Sequence, residues 1–142
     1  MPDVGLTHIA LPVTDLDASI AFYATYARME VVHRRRSRDG RHETAWLSDR
    51  TRPFAIVLSE RDRLDPPLDP PLGPFAHLGV ACASRAEVDR LVARAREEGC
   101  LASGPENSGP PVGYWVFLRD PDGHTLELSF GQEVAQAVGT AP

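Results

Sequence analysis

Hydrophobic and polar positions along this chain follow two periodicities, and the order in which they follow one another occurs twice. Leu6-Thr7-His8-Ile9-Ala10-Leu11 is a short apolar run of β character. From about Asp15 to Ala27 the spacing of Leu16, Ile20, Tyr23 and Ala27 is helical, and Thr14 or Asp15 is suited to cap the first turn. Two strands follow, Glu30–Ser37 and His42–Ser48, joined across the turn dipeptide Asp39-Gly40, and then a fourth, Phe54–Leu58.

The second half repeats this order. Phe75–Val80 reads as a strand. Ser84-Arg85-Ala86-Glu87 is a capping box in front of a helix whose apolar face is Val88, Leu91, Val92 and Ala95, with Gly99 as its stop. Strands near Cys100–Ser103, Tyr114–Arg119 and Thr125–Phe130 come next, the last two separated by the turn Asp120-Pro121-Asp122-Gly123. Between the halves lies Arg61–Pro74, with five prolines, expected to be a stiff linker. The small, polar tail after Gln132 is expected to fray.

Each half is therefore βαβββ. One helix covers only one face of a four-stranded sheet, so two such units should pair. The pattern predicts a single α+β domain of 142 residues: module one 4–60, linker 61–74, module two 75–131 and tail 132–142. The two βαβββ modules should form a curved, half-open mixed sheet around a concave cup.

Composition narrows the function classes. A net charge of −5 gives no electrostatic support for nucleic-acid binding. The one basic cluster, Arg34, Arg35, Arg36, Arg38 and Arg41, flanks the Asp39-Gly40 turn and reads as a solvated hairpin tip. Cys82 and Cys100 are distant in sequence and form no CxxC motif, so two unpaired thiols in a reducing compartment are expected. No apolar run reaches the ~18 residues of a membrane span, and no signal peptide is recognisable. The expectation is a cytoplasmic protein with a small-molecule substrate, and neither nucleic acid nor membrane as partner.

Three residues stand out. His8 and His77 occupy matching places in the first strand of each half, 69 residues apart, and Glu127 sits inside the apolar frame Leu126-Glu127-Leu128. A lone strand histidine is ordinarily a core or surface residue, and a lone strand glutamate ordinarily faces solvent. The constellation is what argues for a metal, since a carboxylate buried without a counter-charge costs stability.

The stretches Thr7-His8-Ile9-Ala10-Leu11 with Asp15-Leu16 and Ala21-Phe22-Tyr23, then Ala76–Val80, then Phe117–Leu128, resemble the vicinal oxygen chelate superfamily. That superfamily includes glyoxalase I, methylmalonyl-CoA epimerase, fosfomycin-resistance and bleomycin-binding proteins and extradiol dioxygenases. The resemblance covers about residues 4–130. It implies a cup holding a divalent metal on His8, His77 and Glu127, with a homodimer as the expected assembly. It leaves open whether the site lies within one chain or is shared between two.

Glyoxalase-like members carry a fourth protein ligand, usually Glu, whose place here falls on Val57 or Leu58. Glu60 reaches it only through a slip of two or three residues. The remaining set of two histidines and one carboxylate with open positions suits Fe(II), with Zn, Ni, Mn or Co as alternatives. An extradiol-type ring-cleaving dioxygenase is the favoured reading. A glyoxalase- or epimerase-like lyase or isomerase is the first alternative, and a non-catalytic, antibiotic-sequestering protein is the second. The acid–base histidine of the dioxygenases would fall near Ala55 or Val57, and their tyrosine on Phe117, so neither group is present. His42, Tyr114 and His124 are the weak substitutes. Trp115, Phe117 and Val57 are the expected lining of the substrate pocket.

Overall fold

The structure, a computed structural model, describes residues 3–63 and 75–139. The chain divides into two compact units, Met1–Pro71 and Leu72–Pro142. Residues 64–74 of the expected linker lie outside the described residues.

The first unit contains β1 (His8–Val13), α1 (Leu16–Ala27), β2 (Glu30–Arg36), β3 (Glu43–Ser48) and β4 (Ala55–Glu60). The second contains β5 (His77–Ala81), α2 (Arg85–Glu98), β6 (Leu101–Asn107), β7 (Tyr114–Arg119), β8 (Thr125–Phe130) and a short α3 (Val134–Val138). Each unit has one four-stranded mixed sheet. The strand orders are β1-β4-β3-β2 and β5-β8-β7-β6, so the repeat read from the sequence is a repeat of topology. In each, the first and last strands pair in parallel and the others antiparallel.

The helices begin where the capping residues stand. The Asp15 carboxylate accepts the Ala18 N–H, and Ser84 Oγ accepts the Glu87 N–H. The Glu87 carboxylate reaches back to the Ala83 N–H, one residue earlier than the simple capping box predicts. Gly99, at φ 74°, closes α2 in the left-handed region that glycine adopts without strain.

Strand alternation then sorts the side chains of the second unit onto two faces. On one, Leu126 and Leu128 of β8 and Val116 and Leu118 of β7 are fully buried, as are Val88 and Ala95 of α2, which packs on these strands. The other face carries His77, Gly79, Phe117 and Glu127. The first unit repeats the division. Leu11, Val13, Ala45, Leu47, Ile56 and Leu58 form its core with α1, while His8, Trp46 and Val57 occupy the opposite face.

Three sequence expectations need correction. The strand expected at Cys100–Ser103 runs on to Asn107 as the sheet edge. Register shifts on either side of Ser103 accommodate Pro105, whose missing N–H is tolerated at an irregular edge. The tail does not simply fray, because Val134–Val138 closes one helical turn ended by Gly139. His8 and His77 stand not in mid-strand but at the first residue of β1 and of β5. Cys82 and Cys100 form no disulfide. Among the described residues, no helix is long and apolar enough to cross a membrane.

The face that packs on α2 should dominate the stability of the second unit. Leu128→Ala removes a fully buried side chain and should cost about 2–5 kcal/mol, read as a lowered midpoint of urea unfolding with an unchanged slope.

Candidate metal centre

The parallel pairing of β5 with β8 sets Gly79 beside Glu127, and the antiparallel pairing of β7 with β8 sets Phe117 on its other side. Glu127 therefore points to the face away from α2, although it is only 8% exposed. Gly79 lies close beneath it, since a Cβ there would stand 3.4 Å from Glu127 Oε2, in van der Waals contact. Gln132, in the turn after β8, donates from Nε2 to the same oxygen at 3.2 Å. Neither Gly79 nor Gln132 stood out in the sequence reading. The available signals were a glycine two residues after a strand histidine, and a glutamine just past the turn glycine Gly131, which lies at φ 87°.

His77 Nε2 stands 3.7 Å from Glu127 Oε2. On the other side of the ring, Nδ1 lies 2.7 Å from the Phe75 carbonyl oxygen. A carbonyl only accepts, so Nδ1 carries the proton, and in the neutral ring Nε2 presents its lone pair. In that neutral form a lone pair faces a carboxylate oxygen whose other neighbour is the Gln132 amide. A cation satisfies both. Two donor atoms that each lie ~2.1 Å from one ion can stand up to ~4.2 Å apart, so the observed separation fits. Phe75, Phe117 and Trp115 wall this pair, with His77–Phe117 and Trp115–Phe117 ring centroids both 4.8 Å apart.

Within the second unit no third His, Cys, Asp or Glu among the described residues joins the pair to complete a metal-binding group. His8 belongs to the first unit, at the position matching His77. It pairs with Ala55 as His77 pairs with Thr125. Its Nδ1 is 2.9 Å from Thr7 Oγ1, which leaves Nε2 as the outward nitrogen.

The same register identifies the counterpart of Glu127. Ala10 corresponds to Gly79, so Val57, which pairs with Ala10, takes the carboxylate's place, and Trp46 corresponds to Phe117. Glu60 does not slip into that place. Pairing runs unbroken from His8↔Ala55 to Val13↔Glu60, which puts Glu60 on the opposite parity, where its carboxylate accepts the Glu43 N–H.

The weak acid–base candidates are dispersed. Tyr114 lies on the face of β7 that packs against α2. Its hydroxyl donates to the Asp89 carboxylate, and the Arg85 guanidinium lies 4.1 Å from its ring centroid. The Asp89 hydrogen bond and burial raise the phenol above its ordinary pKa, so Tyr114 is a poor base, and the structure places it away from Glu127. His42 pairs with Asp62 beside the hairpin, at 2.8 Å. His124 is buried under the Asp120–Gly123 turn, its N–H given to Asp120.

A family model described as the Glyoxalase/Bleomycin resistance protein/Dioxygenase superfamily matches residues 5–128. The chain belongs to that superfamily. The uncharacterized protein PA2024 of Pseudomonas aeruginosa is 38% identical over 139 residues, covering 96% of each chain. Among solved structures, the fold is similar to a mutant of the fosfomycin resistance protein FosX from Listeria monocytogenes, complexed with Mn(II) and 1S,2S-dihydroxypropylphosphonic acid. The TM-score is 0.70 at 22% identity, over 96% of this chain and 99% of that one. The trypanothione-dependent glyoxalase I of Leishmania major matches with a TM-score of 0.72 at 21% identity, over 98% and 100% of the two chains. At such identities these likenesses establish the fold.

The close approach at Gly79 yields a prediction. Gly79→Val should displace the Glu127 carboxylate and weaken Co(II) binding by about 10- to 100-fold in a spectroscopic titration, with the far-UV circular dichroism unchanged.

Proposed function

We propose that this superfamily member is a divalent-metal-dependent enzyme acting on a small substrate with two neighbouring oxygens, its metal held by His8, His77 and Glu127. The observation that carries this reading is the pair of acceptors, His77 Nε2 and Glu127 Oε2, facing each other at 3.7 Å. A bound metal would supply Lewis-acid activation of the substrate and, as Fe(II), activation of dioxygen.

The chain's own residues account for the rest. The Phe75 carbonyl fixes the His77 tautomer, and Gln132 orients the carboxylate. Phe117 and Trp115 give a planar substrate an apolar wall. Val57 stands at the place of the fourth ligand, a carboxylate in glyoxalase-like members, and Phe117 pairs directly with Glu127. Neither can take a proton from substrate carbon, which counts against a lyase or isomerase that needs such a base. Three ligands with open positions favour extradiol-type ring cleavage.

Elemental analysis of the purified protein should find about one metal per chain, largely lost in His8→Ala, His77→Ala and Glu127→Gln. Unchanged metal content in the first two variants would remove the ligand assignment. Anaerobic loading with Fe(II), followed by oxygen and a panel of catechols, should give yellow ring-cleavage products. Val57→Glu should keep the metal and lower that activity by at least about tenfold, because an added carboxylate would compete for an open position. Drug binding that survives a chelator would point instead to a sequestering protein. A homodimer that shares its site would recover metal binding when His8→Ala and Glu127→Gln chains are mixed.

A further inference from the structure

The first unit contains a cavity of about 740 Å³. Its lining includes His8, Trp46, Arg50, Arg52 and Val57, all from that unit. The volume lies in the range of small-molecule sites. Its apolar side is formed by Val57 and by the indole of Trp46, which pairs with Val57 across β3 and β4. Trp46 is 46% exposed, and the His33 ring is tilted against its indole at 4.9 Å. A large flat ring left this open in a cavity is a surface on which a planar apolar group can lie.

The two arginines come from the loop between β3 and β4, which is held in one shape. Asp49 accepts both the N–H and the hydroxyl of Thr51, at 2.9 and 2.7 Å. The Arg50 N–H donates to Ser48 Oγ at 3.0 Å, and Arg50 sits at φ 59°, a left-handed conformation uncommon outside glycine. The Arg50 side chain is ion-paired with Glu30, an exposed residue on β2. Arg52 makes a long contact from Nε to Thr51 Oγ1 at 3.4 Å. Asp3 also lines the cavity, and with Arg50 held by Glu30 the guanidinium left for a ligand is that of Arg52.

We infer that this cavity takes a planar small molecule bearing a carboxylate, with its ring on Trp46 and the carboxylate in the fork of Arg52. The inference rests on the proposed function, because it places the ligand's neighbouring oxygens toward His8. It goes beyond that function by naming the substrate class, a ring with vicinal oxygens and a separate anionic group. Guanidinium recognises carboxylate through two parallel hydrogen bonds, which a neutral amide cannot match.

Equilibrium dialysis of the metal-free full chain against benzoate and benzamide tests the anion site alone. Benzoate should bind about tenfold or more tightly than benzamide. Arg52→Gln should erase most of that preference, Arg52→Lys should retain part of it, and Trp46→Ala should weaken both ligands. Equal binding of benzoate and benzamide, or a preference intact in the Arg50→Gln/Arg52→Gln double variant, would overturn the inference. Both arginines are exposed rim residues, so these variants should fold, as circular dichroism would verify. A second arm compares 3,4-dihydroxybenzoate with benzoate before and after Co(II) is added. A metal-dependent gain for the dihydroxy ligand alone supports both readings. A benzoate preference without that gain upholds the anion site and removes the metal reading. The gain without a benzoate preference does the reverse.

Discussion

In each half of this chain a single helix packs on one side of a four-stranded sheet, and the rest of the structure depends on that burial. Val88, Leu91, Val92 and Ala95 close over Leu126, Leu128, Val116 and Leu118, and α1 does the same over Leu11, Val13, Leu47, Ile56 and Leu58. Burying these side chains fixes the register of every strand, because a slip of one residue would turn the apolar set outward. With register fixed, the odd-numbered positions of β7 and β8 must face away from the helix. Glu127, Phe117 and Trp115 share a face for this reason, and Tyr114 is excluded from it for the same reason.

The two modules keep this geometry and have diverged in chemistry. At matching places one has Gly79, Phe117 and Glu127, and the other has Ala10, Trp46 and Val57. Glycine stands next to the glutamate, and alanine next to the valine. An aromatic ring persists beside each. The second module thus presents a charged acceptor pair. The first presents an apolar cavity with arginines at its rim, and each keeps its strand histidine.

Most of the fold was legible because its signals are local and periodic. Helical spacing from Leu16 to Ala27, the box at Ser84 and Glu87, the Asp39-Gly40 turn and the Asp120–Gly123 turn each determine a short piece of backbone directly. Legibility failed where backbone geometry was irregular. The bulged edge through Gly104-Pro105 reads as loop, since its pairing depends on a neighbouring strand and not on its own residue pattern. Among the site residues, His8, His77 and Glu127 were visible as oddities in apolar strands. Gln132, Gly79, Arg50 and Arg52 were not, because each is ordinary in its local sequence and matters only for what lies across from it.

The sequence by itself determined the two βαβββ modules, the residues of each core and the absence of a carboxylate at Val57 or Leu58. Those properties follow from side-chain period and residue identity, which are written along the chain. The tertiary structure decided that Val57 and not Leu58 is the counterpart of Glu127, that Glu60 faces the wrong side, and that the His77 lone pair looks at a carboxylate. These are statements about register, parity and ring orientation across strands, and packing between elements distant in sequence sets all three.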